Sequence, residues 1–441
     1  MAGVSEQLGH ADAVRPGAWL LLSILSAISL VSLLDRQILS ITIEPIKQEM
    51  GYSDLQIGLL QGLAFAAFYA VFGIPIGWLV DRVPRRRILF FGIAIWGCAT
   101  VMTGLSRGFL QMFAARTAVG VGEATVNPCS FTMIADAFPR HKLAIPMAVF
   151  ANAQILGGGL SFILGGILLG WISARAPFDL PLFGTITPWR ALFLVAGTLT
   201  LPAALAIWIV REPVRPCTRS PGSLAAVLER RSVLIPHCVG FTAILVMINT
   251  TTFWNLAYMA RSFHWSPARV GLAYGILLIL SMTIGNISAG FLLDRGHARM
   301  GGGIHFRWFT AAALIAIPIT SLSYWTTSAG LFLAATGLYL TVLAGYPASA
   351  AASLQIFAPS GSRGLATGLY ILISSVIGLG IGPMLVGLLN LGLWSSDAHL
   401  GGSLTIIASV SLAIAALALR RAATVVDATT SEVKSGHSIV H

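Results

Sequence analysis

Apolar runs long enough to cross a bilayer recur along the whole chain, and a water-soluble fold has no interior large enough to hide them all. They fall at 18–43, 55–80, 88–106, 109–135, 144–172 and 189–210, and again at 233–260, 267–293, 306–323, 329–355, 364–391 and 400–420. A helix needs about 20 apolar residues to cross the ~30 Å hydrocarbon layer. The pattern therefore predicts twelve membrane-spanning helices, numbered here as spans 1–12. Composition points the same way, with 56% hydrophobic and only 10% charged residues in 441, against about 25% charged in an ordinary soluble domain. The expected fold is an all-α integral membrane protein.

The charges between the runs set the topology. With twelve spans, 19 of the 27 Lys and Arg fall on the side of the N-terminus, 6 on the opposite side and 2 inside spans. The positive-inside rule then places both termini in the cytoplasm, in a multi-pass protein of the cell (inner) membrane. Because the +11 net charge is spread over short connections, no nucleic-acid partner is expected. The first 17 residues lack the features of a cleavable signal peptide.

Cys98, Cys129, Cys217 and Cys238 lie far apart, with neither metal-ligand nor disulfide spacing. No Walker loop, HExxH or GxSxG run occurs, so no cofactor, metal or enzyme activity is expected. His237, His264, His297 and His305 read as span-end or loop residues.

The stretch 211–232 is the longest charged connection and sits at the midpoint. It divides the chain into an N-terminal segment (1–17), a six-helix bundle (18–210), the linker (211–232), a second bundle (233–421) and a polar cytoplasmic tail (422–441). The two bundles repeat. Gly77-x-Leu79-x-Asp81-Arg82 matches Gly290-x-Leu292-x-Asp294-Arg295, and Tyr52-Ser53 with Ile57-Gly58-Leu59 matches Trp265-Ser266 with Val270-Gly271-Leu272, both at an offset of 213. A parallel duplication of this kind relates two halves by an axis along the membrane normal.

Twelve spans in two parallel halves, with G-x-L-x-D-R-x-x-R-R from Gly77 to Arg86, resemble the major facilitator superfamily. Pro84 stands where that motif usually has Gly, and the second copy keeps Asp294, Arg295 and Arg299. The resemblance implies a cavity lined by spans 1, 4, 7 and 10 that opens alternately to each side, and a cytoplasmic gate at Gly77, Asp81, Arg82, Arg85, Arg86, Asp294 and Arg295. Physically, Asp81 at a helix end suits the positive N-terminus of a neighbouring helix, and the arginines suit carbonyl ends or carboxylates. The run Arg85–Arg87 equally suits a purely topological role.

Four ionisable residues lie within spans: Asp35 and Arg36 in span 1, Arg116 and Glu123 in span 4. A charge at bilayer depth costs at least ~2.5–3.5 kcal/mol, so such groups face a cavity or one another. At ~1.5 Å rise per residue, Asp35 and Arg116 come to similar heights, with Glu123 about 10 Å deeper. Arg116, Gly120, Glu123 and Asn127 share a helical face. Two readings follow. The carboxylates exchange protons as they pair and unpair with arginine, or the four form a static network tying span 1 to span 4.

Asp35-Arg36, the Gly58-Leu59-Leu60-Gln61 entry to span 2 and Arg116-x-x-Val119-Gly120-x-Gly122-Glu123-Ala124 resemble the spinster branch of the superfamily, and the chain looks like a bacterial member. Ser32 stands where that branch often has Asn. The likeness implies protonation at Asp35 and Glu123, Arg36 and Arg116 near the substrate's charge, and a lysolipid- or sphingolipid-like substrate.

In span 7, Asn249, Trp254, Asn255 and Tyr258 suit a polar headgroup, as does Tyr339 in span 10. The same residues also suit helix-to-helix hydrogen bonds. Tyr346-Pro347 and Gln154 are weaker candidates. Gly157–Gly159, Gly378, Gly380, Gly382, Asn286 and Met282 read as packing residues. The expected function is proton-coupled secondary transport of an amphiphile by alternating access, through a monomer whose partners are that substrate, protons and membrane lipids. The alternatives are carriage of another small organic solute or drug and, further off, a passive channel.

Overall fold

The computed structural model describes residues 16–139, 142–175, 178–180, 184–213, 223–359, 362–394 and 399–436. Most of the N-terminal segment and part of the linker, with Cys217, lie outside the described residues. Helices dominate: α1 (Ala18–Ile41), α2 (Ile43–Met50), α3 (Asp54–Gln61), α4 (Leu63–Val80), α5 (Arg85–Leu105), α6 (Phe109–Glu123), α7 (Val126–Ala137), α8 (Ala144–Ser173) and α9 (Pro188–Ala206). A short antiparallel hairpin, β1 (Phe178–Leu180) and β2 (Gly184–Ile186), joins α8 to α9. There follow α10 (Leu224–Glu229), α11 (Arg231–Phe263), α12 (Pro267–Met300), α13 (Ile304–Trp325), α14 (Ala329–Leu343), α15 (Tyr346–Phe357), α16 (Arg363–Ser374), α17 (Gly382–Leu389) and α18 (Leu400–Gly436).

Eleven stretches among the described residues are long and apolar enough to cross a membrane. The twelfth, span 4, is split after Glu123 into α6 and α7, neither of them long enough alone. Span 10 breaks at the corresponding place, between α14 and α15, and span 11 passes through π-helical turns at Ser375–Ile381 and Asn390–Trp394. The last helix does not stop where the polar tail begins. It continues to Gly436, and Arg307 meets Asp427 at 2.6 Å.

The described residues form two compact units. Unit 1 gathers those of Met1–Tyr52, Ala64–Thr218 and Trp265–Ile279; unit 2 gathers those of Ser53–Leu63, Arg219–His264 and Leu280–His441. Within unit 1, α1 packs along α8, and α5 along both α6 and α9. Within unit 2, α13 packs along α14 and α18, and α11 along α18. Span 3 with spans 4 and 6 thus repeats as span 9 with spans 10 and 12, as a duplication requires. Trp96, Trp189 and Phe193 are among the fully buried side chains of unit 1, and Phe241, Phe309 and Phe332 among those of unit 2. Large apolar side chains such as Leu110, Trp325 and Leu417 face outward, which suits hydrocarbon surroundings.

The repeated serines keep one local job. Ser53 accepts from the Gln56 amide at 3.3 Å and Ser266 from the Arg269 amide at 3.4 Å, so each starts its helix with a side-chain cap. Downstream the copies diverge. Span 2 breaks at Gly62 (φ −84°, ψ −87°), with α3 assigned to unit 2 and α4 to unit 1. A Cβ on Gly62 would lie 2.0 Å from the Gly380 carbonyl oxygen, so only glycine fits that approach. Span 8 also contributes to both units but runs unbroken as α12.

Polar latches fix the helix ends. In unit 1, Glu49 on α2 accepts from Thr187 (2.6 Å), Trp189 (2.6 Å) and Arg190 (2.7 Å) at the start of α9. Burial raises the Glu49 carboxyl, but the three donors and the Arg190 charge outweigh it and hold the group below its ordinary range. In unit 2, Asp54 accepts from Arg261 twice at 2.8 Å and from Asn390 at 2.8 Å.

Candidate functional site

The four intramembrane charges converge in unit 1, and their pairing crosses from span 1 to span 4. Arg36 Nη2 lies 2.6 Å from Glu123 Oε2, and the Ser32 hydroxyl donates to the same oxygen at 2.9 Å. The rise estimate put Glu123 about 10 Å below the Asp35 level. Two features close that gap: Ser32 sits one turn before Asp35 on α1, and the long Arg36 side chain reaches the carboxylate that Ser32 also meets. Glu123 Oε1 is buried without a hydrogen-bond partner.

Asp35 diverges from Arg36, as adjacent helical positions must. It is 1% exposed, and neither of its oxygens has a well-formed hydrogen bond. Arg116, Thr100, Glu123 and Arg36 are the polar groups that face it. It also borders an otherwise apolar cavity of about 400 Å³ walled by spans 1, 5 and 6. Arg116 is fully buried and feels the charges of Asp35 and Glu123. Of the four side chains, Arg36 keeps the largest exposure, 19%. Arg36 reaches open space, while Asp35, Arg116 and Glu123 lie behind it, because each is packed against the neighbouring spans.

Aromatic rings support the pair. The Arg36 guanidinium lies 4.6 Å from the Phe65 ring centroid and 5.6 Å from that of Tyr69, and Arg116 lies 5.8 Å from Phe65. Tyr69 accepts from Asn127 at 3.2 Å, and Asn127 accepts from Gln154 at 2.9 Å. The chain of contacts thus runs through spans 1, 2, 4 and 5. Sequence reading missed Phe65, Tyr69 and Thr100. The i, i+4 spacing of Phe65 and Tyr69 was the available signal.

The candidates of unit 2 behave differently. Trp254 donates its indole N–H to the Pro383 carbonyl at 3.0 Å, and Asn249 back-bonds to Leu245 at 3.2 Å. Asn255 donates to Tyr339 at 3.1 Å and accepts from Tyr324 at 2.7 Å; Tyr258 donates to the Tyr324 carbonyl at 3.1 Å. Trp254, Asn255, Tyr258 and Tyr339 are buried. Of the two roles these residues suit, the contacts seen here are those of helix cross-linking.

At the loop motif, Arg85 is buried. It binds Asp136 (2.5 Å) and Glu212 (3.2 Å) and donates to the Pro213 carbonyl (2.9 Å). Glu212 also accepts from the Arg85 amide at 2.9 Å, so it serves as the N-terminal cap that Pro84 cannot provide. Burial raises the Glu212 carboxyl, but these Arg85 contacts more than offset it and lower the group. Both carboxylates belong to unit 1, so Arg85 fastens spans 3, 4 and 6 of one unit. Asp136 and Glu212 were not anticipated, since a lone acid in a connection carries no distinguishing pattern. Arg82 lies 4.0 Å over Trp78, Arg86 4.8 Å over Trp208 and Arg295 5.1 Å over Phe291. Asp81 and Asp294 are exposed, and Gly77 has open space around it.

Residues 25–237 match the family model described as Major Facilitator Superfamily. A protein of Mycolicibacterium smegmatis described as an MFS-type efflux pump is 26% identical over 394 residues, covering 86% of each chain. Protein spinster of Drosophila melanogaster is 23% identical over 297 residues, covering 64% of this chain and 46% of the fly protein. The chain thus spans about half the length of that relative. A crystal structure of a bacterial homolog to the human lysosomal transporter spinster, inward-facing and unoccupied, superposes with a TM-score of 0.79 at 21% identity, covering 93% of this chain and 97% of the other. The match over residues 25–237, the spinster proteins among the relatives and the fold shared with the solved neighbour all point to the major facilitator superfamily.

Proposed function

We propose that the protein is a proton-coupled secondary transporter that moves an amphiphilic, lysolipid- or sphingolipid-like substrate by alternating access. The observation that carries this reading is the Arg36–Glu123 pair. Arg36 is the partly exposed member, so an anionic headgroup competes with Glu123 for one guanidinium. A Glu123 carboxylate that loses Arg36 is left in low-dielectric surroundings, where the protonated form is favoured. Substrate capture and proton uptake are thereby coupled at one arginine. Asp35 serves as a second protonation site against Arg116. The stacked Phe65 and Tyr69 rings hold Arg36 in position and offer an apolar surface to a chain.

The proposal includes two six-helix bundles joined by 211–232, termini in the cytoplasm of an inner-membrane monomer, and a cytoplasmic gate that uses Asp81, Arg82, Asp294 and Arg295. A second reading, export of a drug or another small organic solute, is favoured by the efflux-pump relative that matches most of the chain. Transport in proteoliposomes separates the two. Lysophospholipid is expected to accumulate under a pH gradient. Asp35→Asn and Glu123→Gln are expected to abolish that accumulation while retaining counterflow. Normal gradient-driven accumulation in both variants would remove proton coupling, and transport of drugs without lysophospholipid would favour the second reading.

A further inference from the structure

An apolar groove in unit 2 runs along the outer face of α11, beside α10, α16 and α18, and encloses about 520 Å³. That volume is typical of a small-molecule site. Of its lining side chains, only Arg231, Cys238, Thr242 and Ser411 carry polar atoms. From Arg231 at one end to Val246 at the other, the helix rises roughly 22 Å, somewhat more than the ~15 Å of one hydrocarbon leaflet. The shape suits one acyl chain standing along the span.

Charge at the mouth identifies the rest of the ligand. Arg230 and Arg231 are exposed where α10 meets α11, and Arg363 is exposed at the start of α16, one turn before Ala366 in the groove wall. Glu229 is the neighbouring acid. The mouth is built rather than loose: the Ser223 amide donates to the Ser362 hydroxyl at 2.9 Å, which donates back to the Ser223 carbonyl at 3.2 Å. This ties α10 over α16, with Val227 inward and Leu224 and Leu228 more than half exposed. A short helix with outward leucines and terminal arginines suits the membrane interface, and basic pockets between spans suit anionic lipid headgroups.

We propose that this groove holds an anionic phospholipid of the linker-side leaflet, with its phosphate against Arg230 and Arg231 and one acyl chain along α11. The site is separate from the charged cluster of unit 1 and does not depend on the transport reading.

Cys238 lines the groove and provides the readout. In full-length protein carrying Cys98→Ser, Cys129→Ser and Cys217→Ser, N-ethylmaleimide alkylation of Cys238 is timed in detergent with dioleoyl phosphatidylglycerol or dioleoyl phosphatidylcholine. Phosphatidylglycerol is expected to protect the thiol, and Arg230→Gln and Arg231→Gln to weaken that protection by about fivefold each. Native mass spectrometry is expected to show retained phosphatidylglycerol, lost in Ala243→Trp, whose indole fills the groove. The arginine variants alter exposed side chains, so they decide the matter even if Ala243→Trp does not fold. Equal protection by both lipids, or none by either, overturns the proposal.

Discussion

Spans 1 and 4 of unit 1 and spans 7 and 10 of unit 2 hold corresponding places in the repeat, but they use polar side chains in opposite ways. Unit 1 buries Asp35, Arg116 and Glu123 beside a part-exposed Arg36, and leaves Glu123 Oε1 and both Asp35 oxygens without hydrogen-bond partners. Unit 2 buries neutral amides and phenols, with Asn255 bonded to both Tyr339 and Tyr324. A neutral, satisfied set stabilises helix packing and has little left to exchange. A charged, incompletely satisfied set is costly to keep and can change state. Duplication supplied two corresponding frameworks, and of these four spans only those of unit 1 carry carboxylates.

The sharpest way to break that contrast is a double-mutant cycle at the Arg36–Glu123 pair. Arg36→Ala strands Glu123 and is expected to cost about 3–5 kcal/mol in unfolding experiments. Arg36→Ala with Glu123→Gln is expected to recover much of that loss, because no lone charge remains. A double variant as unstable as the single one would mean that packing, not charge, holds spans 1 and 4 together.

The matching test in unit 2 is smaller. Tyr339→Phe removes the acceptor of Asn255 and is expected to cost about 0.6–1.7 kcal/mol, the range of interhelical hydrogen bonds in membranes. Transport is expected to continue, measured as initial uptake. Loss of substrate affinity in Tyr339→Phe without loss of stability would give unit 2 a share in binding and erase the contrast.

The smallest effect lies outside the membrane. Glu49 and Glu212 are both lowered from the ordinary value of 4.5 in the folded protein. A lowered carboxylate adds stability above its unfolded value, and that stability is lost as pH falls below about 4.5 through the folded value. Thermal unfolding temperature is therefore expected to drop on acidification over that window. Glu49→Gln and Glu212→Gln should each flatten the drop, since they remove a titrating latch. An unchanged profile in both would assign acid sensitivity to the intramembrane cluster.

The spans were legible because hydrocarbon solvation acts on whole twenty-residue windows, and one polar residue does not hide such a window. The four charges were legible for the same reason: each stands out against an apolar run. Their pairing was not. Helix rise places Cα atoms, but an arginine side chain covers more than one turn, so Arg36 met a carboxylate that rise alone put out of reach. Ser32 showed as a departure from the family pattern, and its use as a donor to Glu123 depends on the facing helix. The break at Gly62 escaped notice because glycines abound in membrane helices, and the reason for this one is the Gly380 carbonyl, distant in sequence. Asp136 and Glu212 were hidden in connections, where position gives no hint of a buried arginine between them.

Coupling is tested most directly by measuring protons and substrate binding together. Lysophosphatidylglycerol is added to purified protein in weakly buffered detergent, and proton exchange is followed with a pH indicator dye. Headgroup capture by Arg36 is expected to release Glu123 and draw protons from solution in proportion to bound substrate, with the uptake lost in Glu123→Gln. Binding with no proton exchange, or the same exchange in Glu123→Gln, would contradict the account.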